Sequence, residues 1–290
     1  MAAASMKNIK IRIKSVESTM QITKAMELVA SSKLRKAKER VERSRPYFNI
    51  LHNTLCDIKE NNREFTSEFV IKRSVKRVCY LVIAGDRGLA GGYNNNLFKL
   101  VEGSIGNMPR ESVTILPIGK KAVEHYEKRG YEILSTAFSI AEDVSVSDCF
   151  EISRLLSKEF LANHFDELYI AYTKFDSMLS QTPDAIKILP LSIERTEERA
   201  KDTKPRMMTI YEPSSESVFD CIVPEYIAGM IYGAVSEAWA SELGARRTAM
   251  DSASKNASEM IESLSLQYNR ARQSSITQEI TEIVAGSEST

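Results

Sequence analysis

The chain has 290 residues, 43% of them hydrophobic and 27% charged, a composition typical of a soluble protein with one or two domains. Lys and Arg together number 39, as do Asp and Glu, so the net charge gives no indication of a nucleic-acid partner. The four cysteines are far apart in sequence, which excludes a CxxC pair or a zinc-finger spacing and favours a reduced, intracellular setting. The longest apolar run, residues 78–84, is much shorter than the ~20 residues of a membrane helix.

Residues 6–60 are predicted to form the N-terminal helix of a coiled coil. From Ile9, alternating steps of four and three residues reach ten positions up to Val41, and eight of them are apolar. This heptad pattern is typical of a helix that supercoils against another helix. Thr23 and Glu27 interrupt it, and a neighbouring apolar stripe predicts a local shift in register there. The stripe consists of Ile22, Met26 and Val29.

The same helix is strongly basic, since residues 7–45 contain twelve Lys or Arg against four Glu. A basic run of this kind binds nucleic acid, acidic lipid or an acidic protein surface, or is a solvated face without a partner. Residues 25–30, just before its densest part, are apolar on nearly every side, which predicts a helix enclosed by other protein. Exposed aromatic residues do not interleave with the charges, so we expect no nucleic-acid partner.

Residues 76–212 are predicted to form an α/β domain. Buried strands are expected at 77–84, 112–118, 168–173 and 185–192, and helices at 119–129 and 147–163. Alternation of strands with helices favours a mostly parallel, Rossmann-like sheet. Residues 194–206 are densely charged with mixed sign, which predicts an exposed loop.

A glycine-rich segment follows the first predicted strand, where a phosphate-binding loop is found in nucleotide-binding folds. Its spacing is GxxGxxGG rather than GxGxxG, and Thr114 stands where a Walker A motif before Gly119-Lys120 needs glycine. The alternative is a tight structural turn closed by hydrogen bonds from Arg87 or Asn94, and this is our prediction. The predicted turn residues are Gly85, Asp86, Arg87, Gly88, Gly91 and Gly92. The three histidines are scattered and no nucleophile motif is present, so we expect no catalytic residue, metal or cofactor.

Residues 213–290 are predicted to form the C-terminal helix, because no proline occurs between residues 225 and 285. If helical throughout, that stretch is about 90 Å long, too long for one globular domain to bury. Small side chains recur every four residues, which predicts the surface against which the first helix lies; they are Ala245, Ala249, Ala253 and Ala257, followed by Met260 and Leu264. The predicted fold is therefore mixed α/β and α+β: a long antiparallel coiled coil of the two terminal helices, with an inserted Rossmann-like α/β domain.

Four groups of motifs are more distinctive than this general pattern. The N-terminal helix contains Ile11-Arg12-Ile13-Lys14-Ser15-Val16, Gln21-Ile22-Thr23-Lys24-Ala25-Met26-Glu27-Leu28-Val29-Ala30 and Ser32-Lys33-Leu34-Arg35-Lys36-Ala37. The others are Asp86-Arg87-Gly88-Leu89 with Gly91-Gly92-Tyr93-Asn94, then Ser241-Glu242 with Ala245-Arg246, and Asn269-Arg270-Ala271-Arg272-Gln273 with Ile276-Thr277 and Glu279-Ile280. Together they resemble the gamma subunits of F-type ATP synthases over the whole chain from Met6 on.

The resemblance implies a non-catalytic rotor, the central stalk that couples ion flow to ATP synthesis or hydrolysis. Its implied partners are the alpha and beta subunits, as an alpha3beta3 hexamer, the epsilon subunit and the membrane ring of c subunits, with no cofactor. Contact with the membrane is implied only through the c-ring. Because no transit peptide precedes the chain, we expect a bacterial enzyme on the cytoplasmic face of the cell membrane.

The resemblance also implies roles for individual residues. A first set matches the stretch that faces the acidic lever of beta: Met26, Lys33, Arg35 and Lys36. Arg272 and Gln273 match a polar catch on a beta loop. A third set matches a C-terminal tip that turns inside an apolar bearing: Ile276, Ile280, Ile283 and Val284. The apolar residues of these sets are alternatively explained as coiled-coil core.

The chain departs from the family pattern at a few positions. Ala90 replaces a commonly seen cysteine, and Gly286-Ser287 replaces Gly-Ala near the tip. No dithiol insertion is present, so we expect no thiol switch. Two other functions remain open from the residues alone: a free-standing nucleotide-binding α/β protein with coiled-coil arms, and a coiled-coil scaffold that does not rotate.

Overall fold

The computed structural model describes residues 2–61, 65–138, 141, 144–178, 180–192 and 211–288. The predicted loop at 194–206 lies outside these residues. The helices are α1 (Ala2–Asn61), α2 (Tyr93–Ile105), α3 (Lys120–Lys128), α4 (Val146–Leu161) and α5 (Ser215–Glu288). The strands are β1 (Val78–Ile83), β2 (Val113–Ile118), β3 (Glu132–Ile133), β4 (Glu167–Phe175) and β5 (Gln181–Leu189). The chain divides into two compact units: Met1–Ser32 with Arg246–Thr290, called the coil unit, and Lys33–Ala245, called the sheet unit.

The sheet unit contains one five-stranded sheet in the order β3-β2-β1-β4-β5. β1 pairs in parallel with β2 and β4, β2 pairs in parallel with β3, and β5 runs antiparallel to β4. The predicted mostly parallel sheet is therefore confirmed. β3 was not predicted, because a strand of two residues is too short to show a period.

Both faces of the sheet are covered, and this explains why β1 is buried at all six positions. Successive side chains of a strand point to opposite faces. Leu81 and Ile83 pack with α4, α5 and the end of α1 in one hydrophobic core. Tyr80 and Val82 pack with α2 and α3 in a second core.

Part of α5 belongs to the first of these cores. Its residues Phe219, Val223, Ile227 and Ile231 recur every four positions and are fully buried. By length and composition alone, α5 contains a window apolar enough to cross a membrane. In that window 44% of the residues are buried.

The coil unit combines the first part of α1 with the second part of α5. The predicted heptad of α1 is confirmed, because Ile9, Ile13, Val16, Met20, Thr23, Glu27 and Ala30 are all half-buried or buried. The predicted shift in register is wrong, since Ile22 and Val29 of the proposed stripe are exposed. On α5 the covered positions also alternate by four and three residues. They are Met250, Ser254, Ala257, Ile261, Leu264, Tyr268, Ala271 and Ser275.

The seam between these helices contains a polar pair. The Thr23 and Ser254 hydroxyl oxygens lie 2.7 Å apart and are buried. Glu27 and Arg247 approach to 4.0 Å, so residue numbers rise on α1 as they fall on α5 and the helices are antiparallel. The coiled coil and the inserted α/β layer confirm the predicted fold class.

The predicted alanine stripe on α5 needs correction at one position. Ala257 and Leu264 are buried and Ala245, Ala249 and Ala253 are half-buried, whereas Met260 is exposed. From Ala257 the seam takes a step of four and then of three, so it includes Ile261 instead of Met260.

A substitution at Gly119 tests the junction of β2 with α3. Gly119 has φ +94°, and an added Cβ lies 2.1 Å from the carbonyl oxygen of Ala84 at the end of β1. We expect Gly119→Ala to lower the free energy of unfolding by about 2–4 kcal/mol, because strain and a backbone clash add. Gly103→Ala is the control: it lies within α2 with no atom near the added Cβ, and we expect a gain of about 0.5–1 kcal/mol. Urea denaturation followed by circular dichroism measures both, and equal stabilities contradict the clash.

A double-mutant cycle tests the polar pair of the seam. We expect Thr23→Val to destabilise more than the double change Thr23→Val with Ser254→Ala, because the single change leaves the Ser254 hydroxyl buried beside a methyl group. A coupling of about 0.5–1.5 kcal/mol is expected between the two sites. Thermal unfolding of the four proteins measures it. Additive effects show that the 2.7 Å contact contributes nothing to register.

Candidate functional site

Large apolar side chains lie on the outside of the coil unit as well as in its seam. On α1 the outer ones are Ile11, Ile22, Leu28 and Val29, all more than half exposed. On α5 they are Met260, Leu266, Ile276, Ile280, Ile283 and Val284. The seam itself combines large apolar residues such as Met250 and Leu264 with serine, threonine and alanine. A coiled coil that also exposes large apolar side chains outside its seam has the surface of a protein-binding element.

The side chains predicted to contact partners lie in both units, with Lys33, Arg35 and Lys36 in the sheet unit and the others in the coil unit. On α1, Arg35 and Lys36 are exposed, whereas Met26 and Lys33 are half-buried. On α5, Arg272 and Gln273 are exposed. The predicted tip residues Ile276, Ile280, Ile283 and Val284 are 46%, 56%, 71% and 51% exposed, so they do not form core within the described chain.

The residues around Gln273 show how α5 reaches the tip without a break. Ser275 is a buried member of the seam, and its hydroxyl donates to Glu279. Thr277 donates its hydroxyl to the carbonyl of Gln273 one turn earlier, a bond compatible with the helix. Gln273 therefore lies on a continuous helix with its side chain exposed beside a seam position.

The glycine-rich segment after β1 is closed on itself. The amide of Gly85 donates to the Asn94 side-chain oxygen at 2.9 Å. Asp86 accepts from the amides of Lys120 at 3.2 Å and Ala141 at 2.9 Å, so its carboxylate lies at the start of α3. Gly91 has φ +59°, and Arg87, Gly88 and Gly92 are exposed. The carboxylate of Asp86 takes the place that an anionic ligand takes at a helix N-terminus in nucleotide-binding folds.

The carboxyl edge of the sheet is covered by α5. In an open α/β sheet the ligand crevice lies where strand order reverses, here between β1 and β4. The Glu242 carboxylate stands 2.7 Å from where a Cβ of Gly85 would lie. Ser241 donates to the carbonyl of Thr173 at 2.9 Å, and Tyr93 donates to the carbonyl of Ala238 at 2.9 Å. Side chains of the chain itself therefore fill the crevice.

The cysteines are free, and three of them are buried: Cys56, Cys79 and Cys149. Burial raises the pKa of the Cys149 thiol to about 12 and raises that of Cys79 well above its ordinary value. Thiolate is the reactive form, so these two side chains are chemically inert at neutral pH.

Two elements of the site were not found from sequence. Glu242 and Ser241 were noted only as part of a motif, and nothing local indicates that they reach the edge of the sheet. The α5 seam has a local signal, because the alternation from Met250 to Ser275 is visible once steps of four and three are tried.

Comparisons with known proteins agree on one family. A family model described as ATP synthase matches residues 5–290. The ATP synthase gamma chain of Ruminococcus albus is 50% identical, with 98% of each chain covered. A relative from Acetobacterium woodii named ATP synthase gamma chain, sodium ion specific, is 44% identical with 99% of each chain covered.

Solved structures show the same fold at lower identity. The central stalk and c-ring structure of the Tetrahymena thermophila mitochondrial ATP synthase contains a chain 22% identical, with a TM-score of 0.59, covering 80% of this chain and 99% of that one. A chain of the Euglena gracilis mitochondrial ATP synthase is 16% identical, with a TM-score of 0.66, covering 99% of this chain and 95% of that one. Because the family model and the relatives span almost the full length, the chain belongs to the ATP synthase gamma chain family.

Proposed function

We propose that the chain is the central-stalk rotor of an F-type ATP synthase. Its coil unit turns inside the alpha3beta3 hexamer, and its sheet unit binds the epsilon subunit and the membrane c-ring. Rotation driven by ions crossing the membrane then sets the state of each catalytic site on beta. The observation that carries the proposal is the outward apolar surface of the coil unit, which ends in a tip with Ile283 71% exposed.

Exposed apolar tip residues favour an apolar bearing as the partner. Fully burying one isoleucine or valine side chain contributes about 1.5–3 kcal/mol, so four of them contribute substantially to assembly. The contact is non-directional, which suits a tip that turns. Ion pairs and hydrogen bonds at the same place hold one orientation and resist turning.

Directional contacts are proposed for the residues further from the tip. Arg35 and Lys36 present exposed cations, and Arg272 and Gln273 present an exposed cation and amide. A rotor can change the state of a catalytic site only if its interaction free energy with the open state of that site differs from that with the closed state. We propose that these polar groups supply that difference, because each of the three beta subunits meets a different part of the rotor at one moment.

We further propose that no residue of the chain takes part in the chemistry of ATP. Support comes from the crevice at the carboxyl edge, which Glu242 and Ser241 fill. The same observation disfavours the free-standing nucleotide-binding alternative. The non-rotating scaffold alternative is disfavoured by the membership of the gamma chain family.

The proposed setting follows from these partners. As part of F1 the chain is peripheral to the membrane, and we place it on the cytoplasmic face of a bacterial cell membrane. We propose that residues 6–60 and 213–290 form the shaft. Residues 76–212 form the α/β domain, which binds epsilon and the c-ring.

Reconstitution tests the directional contacts. The chain is mixed with alpha and beta subunits and ATPase activity is measured, then repeated with Arg272→Ala plus Gln273→Ala. We expect ATPase to require the chain and to fall about tenfold in the double variant, because one or two hydrogen bonds involving a charged group are lost.

The control is Lys255→Ala plus Asn256→Ala, which removes a cation and an amide from exposed positions about 25 Å earlier along α5. Its ATPase rate is expected to stay within about twofold of the unchanged complex. If both pairs lower the rate equally, the catch is not at Arg272 and Gln273. If the chain neither joins the complex nor alters the rate, the rotor proposal itself is wrong.

The apolar tip is tested with Ile280→Ser plus Ile283→Ser. Because both side chains are exposed, we expect the melting temperature of the isolated chain to change little, whereas affinity for the alpha3beta3 hexamer falls at least about tenfold. Leu264→Ser in the buried seam is the matched contrast and is expected to lower the melting temperature. If the double variant binds the hexamer with unchanged affinity, the proposal of an apolar bearing is wrong.

A further inference from the structure

A cleft of about 350 Å³ opens between α2 and α3, on the sheet face opposite the core that contains α5. Along α2 it is lined by Asn94, Asn95 and Phe98, which share one side of the helix. Along α3 it is lined by Lys121 and Lys128, two turns apart on the facing side. Two helices packed only for stability usually interlock apolar side chains, and this polar cleft lies above their apolar contact.

The inner end of the cleft is closed by a hydrogen-bonded cluster. Arg129 donates to the Nδ1 atom of His125 at 3.2 Å, so Nδ1 accepts and the proton is on Nε2. The Nε2 atom lies 3.0 Å from Glu102, which also binds Arg129 at 2.9 Å. The imidazole stacks on Phe98 at 3.9 Å, and burial lowers the pKa of His125, so the ring is neutral at pH 7. In this cluster the charges of Arg129 and Glu102 balance each other. The outer part of the cleft is therefore available to a ligand.

The outer part of the cleft is rich in donors. The Asn94 side-chain oxygen is occupied by the amide of Gly85, which leaves its NH2 group to donate. Lys121 pairs with one oxygen of Glu124 at 2.8 Å, and the charge of Lys128 also acts on that carboxylate. Cations and amide donors thus outnumber the single carboxylate that lines the cleft.

The backbone on the third side of the cleft is open. No heavy atom lies within 4 Å of where a Cβ would stand on Gly88 or on Gly91. Both glycines line the cleft, so a ligand can approach their backbone closely.

We propose that this cleft binds a phosphate group, held by Lys121, Lys128 and the side-chain amides of Asn94 and Asn95. The site is separate from the filled crevice at the carboxyl edge and goes beyond the rotor function. Phosphate suits it better than a carboxylate, because lysine binds phosphate as a point charge, whereas planar carboxylates are recognised by a free arginine fork. The guanidinium of Arg129 is engaged with Glu102 and His125 and offers no such fork.

The full-length chain, labelled with ¹⁵N, is titrated with inorganic phosphate at constant ionic strength while the side-chain amide signals of Asn94 and Asn95 are followed. We expect saturable shifts of both signals. Lys128→Gln is expected to weaken binding about tenfold, since it removes an ionic hydrogen bond. Gly88→Ala narrows the cleft without a clash within the chain and is expected to weaken binding as well.

The matched control is Lys99→Gln, which removes the same charge from an exposed position of α2 outside the cleft and is expected to leave the dissociation constant unchanged. A parallel titration with glycerol phosphate separates the two sources of the group: tighter binding assigns the site to a phosphate ester, and weaker binding assigns it to free phosphate. Shifts that do not saturate, or equal weakening by Lys99→Gln and Lys128→Gln, overturn the proposal, because diffuse surface charge then accounts for the effect.

Discussion

One helix has to satisfy two different packing constraints, and the rest of the structure depends on how it does so. In the sheet unit α5 inserts Phe219, Val223, Ile227 and Ile231 into a core shared with the sheet, at steps of four residues. In the coil unit the same helix contributes a seam of alternating four and three residues, with Ser254, Ala257 and Ser275 among its buried members. The change from steps of four to alternating steps of four and three along α5 therefore marks the change of partner.

The seam gains little from hydrophobic burial at its small and polar positions, and this has a consequence for the outside of the coil. Stability from burial scales with apolar area, so the seam depends on its larger members, such as Met250 and Leu264, for hydrophobic stability. Further apolar area lies outward, at Leu28, Val29, Ile280 and Ile283. A polar pair such as Thr23 with Ser254 contributes register in addition to a modest free energy. The coil is thus organised to keep two helices aligned while offering its larger side chains to surrounding protein.

Much of this arrangement follows from local pattern, and what does not follow has a physical reason. The strands at Val78–Ile83 and Val113–Ile118 were predictable, because fully buried parallel strands read as continuous apolar runs. The α1 heptad was predictable too, but its continuation through Thr23 was not. The Thr23 hydroxyl donates to the carbonyl of Met20, and its second partner, Ser254, lies 231 residues later. The roles of Glu242 at Gly85 and of Asp86 at the start of α3 depend on long-range packing in the same way. Local pattern finds apolar periods well, and it misses polar groups whose partners are distant in sequence.

The carboxylates of Asp86 and Glu242 also explain how an α/β layer, which in other proteins often binds ligands, serves as a mechanical part. The positions that attract an anion in such folds are the start of a helix after a strand and the crevice where strand order reverses. Asp86 accepts two backbone amides at the first position, and Glu242 lies against Gly85 at the second. Asp86 thereby connects the loop after β1 to the start of α3, and Glu242 of α5 packs against Gly85 in the same loop. The layer keeps the geometry of a ligand-binding fold, but the contacts at the two ligand positions hold its own elements together.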